Sequence, residues 1–230
     1  MNKFIILFAT GLMISTVAHS QTQEPVRAPD HGLWVGVAVK KKFSKKFRLK
    51  MDVEARYDSN VTNLGYRYLE LAGDYKIIKG LSISPFYRYA QKRKKDLTWG
   101  ARHRLGVDVE YEKKIKPFNF SIRERLYTQF KNGGGSSSDW RTKLGVEYLG
   151  INKKITPFAS IEIFYPFNSK STATFDKMRY QFGVSFDVTK ASTIKVGYLH
   201  QKTYGYVDKN SGLPTDYIDG VFSLGYSLSF

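Results

Sequence analysis

Large apolar and charged residues alternate strictly over residues 47–58 of this chain. The apolar positions are Phe47, Leu49, Met51, Val53, Ala55 and Tyr57, and the positions between them are Arg48, Lys50, Asp52, Glu54, Arg56 and Asp58. Because successive side chains of a β-strand point to opposite faces, this segment predicts a strand with one apolar and one charged face. In a soluble sandwich the apolar face would meet a second sheet, whereas in a membrane barrel it would meet lipid.

The same alternation recurs in segments of about ten residues, the length that a tilted strand needs to cross the hydrocarbon of a bilayer. Eleven such segments can be drawn, from Leu33–Lys41 to Ile218–Phe230. Single-chain bacterial barrels have an even number of strands, so we predict an all-β, antiparallel transmembrane β-barrel of ten or twelve strands. Residues 33–41 would then lie outside the barrel, or a twelfth strand would complete it.

The connections between these segments differ in length and composition. Short turns that carry lysine alternate with longer polar connections, of which residues 132–139 are rich in Gly and Ser. This asymmetry predicts short periplasmic turns and longer extracellular loops.

The beginning of the chain has the features of an export signal. Lys3 precedes the apolar run 4–17, and Ala18-His19-Ser20 is a small-x-small cleavage site. We therefore expect residues 1–20 to be a cleaved secretory signal peptide, 21–32 an extended N-terminal segment, and 33–230 a single barrel domain. The sequence contains no Cys, so we expect neither a lipoprotein anchor nor disulfides.

The last eight residues alternate large apolar with small side chains and end on an aromatic residue. Ser223, Gly225, Leu228 and Phe230 form the pattern polar-x-Gly-x-x-apolar-x-apolar. This pattern resembles the C-terminal signature of outer-membrane barrels, which implies that the bacterial barrel-insertion machinery is a partner. We predict localisation in a bacterial outer membrane.

The chain has a formal net charge of +17, which in a cytosolic protein would suggest a nucleic-acid partner. Export removes that interpretation. The basic turns are instead expected to meet membrane lipid headgroups, and residues 92–95, Lys-Arg-Lys-Lys, the phosphates of lipopolysaccharide. Aromatic residues at strand ends, including Trp34, Trp99 and Trp140, are candidates for the interfacial girdles.

The predicted interior is the part of the molecule that offers chemistry. The candidate lumen charges are Arg56, Arg88, Arg102, Arg104, Asp108, Glu110, Arg123, Arg125 and Glu162. Opposite charges on adjacent strands could pair and fill the lumen, giving a structural barrel. Alternatively, the arginines could line a narrow polar passage that favours anions.

Two further functions are open, an enzyme directed at lipid or lipopolysaccharide and a soluble periplasmic binding barrel. A hydrolase would need a nucleophile or water beside a base, but His103 and His200 share parity with the predicted lipid face. We therefore identify no catalytic, cofactor-binding or metal-binding residue and expect no cofactor. Glu124 also falls on the lipid face, where a bulge, a position near the headgroups, or pairing with Arg123 or Arg125 would reduce its cost.

The layout of the chain resembles an uncharacterised outer-membrane barrel family of Bacteroidota, the domain of unknown function 2490. The resemblance rests on Trp34 before a basic turn, the strand Asp52-Val53-Glu54-Ala55-Arg56, the triplet Arg123-Glu124-Arg125, Pro157-Phe158 with Glu162, and the terminal Phe230 strand. It implies an outer-membrane location and no assigned activity.

Overall fold

The computed structural model describes residues 30–94, 96–152, 154–167, 175–207 and 214–230. The predicted signal peptide and residues 21–29 of the predicted extended segment lie outside these ranges, and residues 30–32 belong to the first strand. The described residues include no helix that is long and apolar enough to span a membrane.

The described residues form one closed β-barrel, which confirms the predicted all-β barrel class. Its strands are β1 Asp30–Lys42, β2 Phe47–Asp58, β3 Asn63–Ile78, β4 Leu81–Arg93, β5 Trp99–Ile115, β6 Phe118–Lys131, β7 Ser136–Tyr148, β8 Ile155–Pro166, β9 Lys177–Asp187, β10 Ser192–Val207 and β11 Pro214–Ser229. Each strand pairs with its neighbours in sequence order, and β1 closes the barrel against β11.

The closure corrects the predicted strand count and the purely antiparallel topology. The described part of the chain has eleven strands, and β1 pairs with β11 in parallel from Asp30↔Asp219 to Lys40↔Ser229. With an odd number of up-and-down strands, the first and last run in the same direction, so only a parallel pair can close the sheet. Residues 33–41 are thus part of the barrel and need no twelfth partner.

The connections lie at two ends of the barrel. The turn end carries the connections β1–β2, β3–β4, β5–β6, β7–β8 and β9–β10, and the loop end carries the connections β2–β3, β4–β5, β6–β7, β8–β9 and β10–β11. The predicted Gly/Ser loop is shorter than expected, because Ser136 already pairs with Phe130 and belongs to β7. Gly133, Gly134 and Gly135, all with positive φ, make this tight reversal.

The alternation places apolar side chains outside and charged side chains inside. Leu49, Met51 and Val53 of β2 are exposed on the outer face, as are Phe222 and Leu224 of β11. By contrast, the residues buried inside the barrel include Glu70, Arg88, Asp108, Arg125 and Glu162. This distribution is the reverse of that in a soluble protein, whose apolar side chains fill the core.

Candidate functional site: the charged lumen

A network of buried ion pairs joins the inner faces of the four neighbouring strands β3, β4, β5 and β6. Arg125 binds Asp108 through two contacts, Nε–Oδ1 at 2.6 Å and Nη2–Oδ2 at 2.7 Å. Its Nη2 also lies 3.3 Å from Glu70 Oε1, while Arg88 Nη2 lies 2.6 Å from Glu70 Oε2. Asp108 and Arg125 are direct cross-strand partners, as are Glu70 and Arg88. Two carboxylates therefore share two guanidinium groups.

A second network holds Glu162 of β8. Arg123 Nη2 donates to Glu162 Oε1 at 3.0 Å, and Arg179 Nη1 donates to Glu162 Oε2 at 2.9 Å. Near the turn end, Asp74 has a similar role, with Arg48 Nη2 at 2.5 Å and Lys50 Nζ at 3.6 Å. Each of these buried acids is thus neutralised by two cations, and such pairing is what makes a buried carboxylate tolerable.

These networks border a cavity of about 560 Å³ inside the barrel. Its cationic lining is Lys40, Lys50, Arg56, Arg88, Arg123, Arg125, Arg141, Lys143, Arg179 and Lys195, and its acidic lining is Asp52, Glu54, Glu70, Asp108, Glu110 and Glu162. Ten cations face six acids, so the wall has an excess of four positive charges. Cavities lined by one excess charge and bounded by low-dielectric walls concentrate counter-ions of the opposite sign.

Three of the cavity's lysines account for much of this excess. Lys40, Lys143 and Lys195 have no ion pair within 4.0 Å among the described residues, while Lys195 Nζ lies 3.9 Å from the Phe158 ring centroid. All three are side chains that face the lumen from different strands, β1, β7 and β10. Their ammonium groups are the donors most available to a solute.

Arginine and aromatic side chains alternate in a ring around the lumen, which we call the arginine–aromatic ring. Its members in order are Arg88, Tyr68, Arg56, Trp34, Arg179, Phe164, Arg141, Tyr127 and Arg104. Neighbouring members contact through guanidinium–ring stacking, closest at 3.7 Å between Arg56 and Trp34. Arg104 and Arg88 are direct cross-strand partners, which closes the ring.

The ring leaves part of the hydrogen-bonding capacity of its arginines unused. Arg104 Nη2 donates to Gln129 Oε1 at 2.8 Å, and Arg141 Nη2 donates to the Tyr127 hydroxyl. Neither arginine has an ion pair with an acid among the described residues. The Nε atoms of Arg104, Arg141 and Arg179 are buried without a hydrogen-bond partner in the described part of the chain. Such buried donors favour an anion as a ligand.

Trp34 shows where the sequence interpretation failed. Predicted as a girdle residue, it lies on the lumen side of β1, where its ring stacks on Arg56 and borders the cavity. The position of Trp34 follows from the alternation along β1, because Trp34 pairs with the inward Arg56 and Gly36 pairs with the inward Glu54. The apolar side chains of β1 occupy the odd positions, a signal that was present in the sequence.

The predicted lumen charges lie inside the barrel. Seven of them line the cavity: Arg56, Arg88, Asp108, Glu110, Arg123, Arg125 and Glu162. Arg104 belongs to the arginine–aromatic ring, and Arg102, two residues nearer the loop end of β5, has the same parity. Sequence reasoning missed Lys40, Lys143 and Lys195 as candidates. Their signal in the sequence was only an inward position on β1, β7 and β10, the parity that the predicted lumen charges have on their own strands.

The outer face holds one acid in the middle of the described strands, Glu124. Its Oε2 accepts hydrogen bonds from Trp140 Nε1 at 2.6 Å and from Thr142 Oγ1 at 2.8 Å. The predicted pairing of Glu124 with Arg123 or Arg125 is wrong, because both arginines point into the lumen from β6. The β6–β7 register instead places Thr142 opposite Glu124, without a bulge.

The histidines and the C-terminal pattern complete the predicted sites. His103 and His200 project outward, and His103 Nδ1 lies 2.8 Å from the Tyr87 hydroxyl. The described residues contain no group of three or more His, Asp or Glu that could hold a metal ion.

In the C-terminal pattern, Ser223 and Gly225 face the lumen, while Leu228 and Phe230 have the parity of the outer face. Their role as an insertion signal stays a prediction.

Three comparisons place this arrangement among known proteins. A family model described as a protein of unknown function (DUF2490) matches residues 31–211. The NanC porin is similar in structure, with a TM-score of 0.51 and 13% identity, over 88% of this chain and 100% of that chain. The anion-selective porin from Comamonas acidovorans has a TM-score of 0.38 and 13% identity, over 81% and 54% of the two chains. No curated protein matches the sequence.

Proposed function

We propose that this chain, which belongs to the DUF2490 family of proteins of unknown function, forms a narrow passage for small anionic solutes in a bacterial outer membrane. The observation that carries the proposal is the cavity wall, where ten cationic side chains face six acidic ones. The fold shared with the NanC porin supports a membrane barrel, since a passage through a bilayer needs a closed sheet.

The exterior supports the membrane part of this proposal. Large apolar side chains such as Val53, Phe182 and Phe222 are exposed on the outer face, while the charges are inside. A soluble periplasmic barrel would leave this apolar belt in water, which is unfavourable for so large a surface. Export through residues 1–20, insertion through the C-terminal pattern and an origin in Bacteroidota belong to the same proposal.

The interior supports the preference for anions. Most acids in the cavity wall are neutralised by arginines, so they present little net negative charge to a solute. Lys40, Lys143 and Lys195 remain available, together with the arginine–aromatic ring. A wall of donors without matched acids attracts anions and repels cations, which is how charged rings select ions in pores.

The test is conductance of the folded, detergent-purified protein in a planar bilayer under a salt gradient. We expect stepwise currents with a reversal potential of the sign that indicates anion preference. The double variant K143Q/K195Q is expected to move the reversal potential toward zero, since it removes two unpaired cations from the wall. The matched control is K113Q, which removes a cation from the outer face near the turn end.

Two results would contradict the proposal. Folded protein that gives no current would favour a structural barrel whose lumen is closed by its ion pairs. Currents with cation preference, or an equal effect of K113Q and K143Q/K195Q, would show that the lumen lysines do not set selectivity. Folding of each variant is verified before the currents are compared, by the difference in migration on a denaturing gel between heated and unheated samples.

A further inference from the structure

The outer face of β3–β5 carries a polar cluster near the loop end, which the proposed passage does not use. We call it the Arg67 patch, and its members are Arg67, Tyr87, Tyr89, Gln91, Trp99 and His103. Arg67 and Gln91 are direct cross-strand partners, as are Tyr89 and His103. Gln91 lies two residues from Arg93, where β4 ends at the loop end. In the membrane barrel that we propose, on which this inference rests, the loop end of the outer face is the depth at which lipid headgroups begin.

Arg67 is exposed on this face and is held in a fixed orientation. Its Nε donates to Gln91 Oε1 at 2.8 Å, and its guanidinium carbon lies 4.7 Å from the Trp99 ring centroid. Neither terminal nitrogen has a hydrogen-bond partner or an ion pair in the described part of the chain. A guanidinium fixed in this way presents two parallel donors, the geometry that suits a phosphate oxygen pair.

The rest of the patch extends the row of donors. Gln91 Nε2 donates to the Tyr89 hydroxyl at 3.3 Å, and the rings of Tyr89 and His103 are 5.4 Å apart. The Tyr87 hydroxyl lies 2.8 Å from His103 Nδ1. When that hydroxyl donates to Nδ1, the neutral His103 carries its proton on Nε2, which has no partner among the described residues.

The acids at the end of β2 and in the β4–β5 connection do not neutralise Arg67. Asp58 Oδ1 accepts from Asn63 Nδ2 at 2.9 Å. Asp96 accepts from the Thr98 hydroxyl at 2.6 Å and from its backbone N at 3.0 Å, and these bonds hold the pKa of Asp96 below its ordinary value. Lys92 has the same parity as Arg88 on β4, so it lies on the lumen side of the rim. Arg67 thus carries its positive charge without an ion pair among the described residues.

We propose that the Arg67 patch binds a phosphate group of a membrane lipid in the leaflet at the loop end, with Arg67 as the main ligand. An unpaired arginine on an otherwise apolar outer face is unfavourable in contact with hydrocarbon alone. A lipid phosphate at the headgroup level satisfies its free donors, and the Trp99 and Tyr89 rings pack against the adjoining chains. This site is independent of transport through the lumen.

The test measures binding of bis-phosphorylated lipid A to the detergent-purified, folded full-length protein by native mass spectrometry. We expect the wild-type protein to retain this lipid, and the R67Q variant to bind it about fivefold more weakly, the effect of one cation at a membrane surface. The R67K variant keeps the charge but loses the two-donor geometry, so its affinity should lie between the two. K113Q, which removes an outer-face cation at the turn end, is the matched control and should bind as the wild type does.

Two further arms identify the ligand. Lipid A from which both phosphates have been removed should bind R67Q and the wild-type protein equally, because only the phosphate contact is lost. Inorganic phosphate at millimolar concentration should not displace bound lipid A, since it lacks the acyl chains that occupy the outer face. The proposal is overturned if R67Q retains bis-phosphorylated lipid A as the wild type does, or if K113Q weakens binding as much. Displacement by inorganic phosphate would show a site for free anions instead.

Discussion

Replacement of Arg125 by methionine tests whether the buried ion pairs hold the barrel together. Arg125 is 7% exposed and makes two short contacts with Asp108, which is 9% exposed. Methionine has a similar length and no charge, so R125M leaves Asp108 buried without an ion-pair partner among the described residues. Glu70 loses the 3.3 Å contact but keeps Arg88 at 2.6 Å. R125M therefore removes all ion pairing from one carboxylate, that of Asp108, among the described residues.

The expected cost follows from that geometry. Removing one partner of a buried ion pair destabilises a protein by about 3–5 kcal/mol, mostly because the remaining charge is left unpaired. Since the pair borders a cavity that water can enter, we expect the lower end, about 3 kcal/mol. The double variant R125M/D108L removes both charges, so it should recover most of that loss.

The assay is guanidinium-induced unfolding of the barrel in lipid vesicles, followed by tryptophan fluorescence and by heat-modified migration on gels. The variants are compared where the slope of the free energy against guanidinium concentration is the same as in the wild type, so that a change in the unfolding midpoint reports a change in stability. A cost below about 1 kcal/mol for R125M would refute the reasoning, since an exposed pair contributes no more than that. The same holds if R125M/D108L is as unstable as R125M.

Two further substitutions test the outer face and the packing inside the barrel. E124Q keeps an acceptor for Trp140 and Thr142 and removes a carboxyl group from the outer face. We therefore expect the free energy of unfolding in vesicles to stay equal or to rise. A loss of more than about 1 kcal/mol would show that the carboxyl group itself is needed. G106A should destabilise the barrel by about 1–3 kcal/mol, because an added Cβ would lie 2.4 Å from the Leu126 carbonyl oxygen and 2.7 Å from Phe86 Cζ. G225A is the matched control for G106A, since the nearest atom to its added Cβ is 3.8 Å away; unfolding measurements that rank the two alike would contradict the packing argument.

The fold could be predicted from the sequence because period-two alternation is a local signal. Each of the eleven predicted segments overlaps one strand, and the β2 bounds, Phe47–Asp58, are reproduced. The strand count could not be predicted, because closure depends on which strand meets β1. The sequence of residues 33–41 does not show whether the neighbouring strand is parallel or antiparallel, since side chains alternate between the two faces in the same way in both cases.

The site could be predicted only as a set of inward charges. Parity alone identified Arg125, Asp108 and Glu162 as lumen residues. Which charges pair depends on register and on diagonal contacts, and the contact of Arg125 with Glu70 joins β6 to β3 across two intervening strands. The arginine–aromatic ring has the same origin, because most of its contacts are diagonal and Trp34 reaches Arg179 across β10 and β11. Strand-by-strand reading contains no information of that kind.

The wall of the 560 Å³ cavity holds more cations than its ion pairs require. If folding were the sole requirement, one cation for each acid would leave the cavity wall neutral and would avoid repulsion between like charges. The wall instead holds ten cations against six acids, and Lys40, Lys143 and Lys195 contribute no ion pair within 4.0 Å among the described residues. Like charges in a confined space bounded by low-dielectric walls repel each other more strongly than in water. An anion that enters the cavity would relieve that repulsion, so the surplus of cations is the physical basis of the anion preference that we propose.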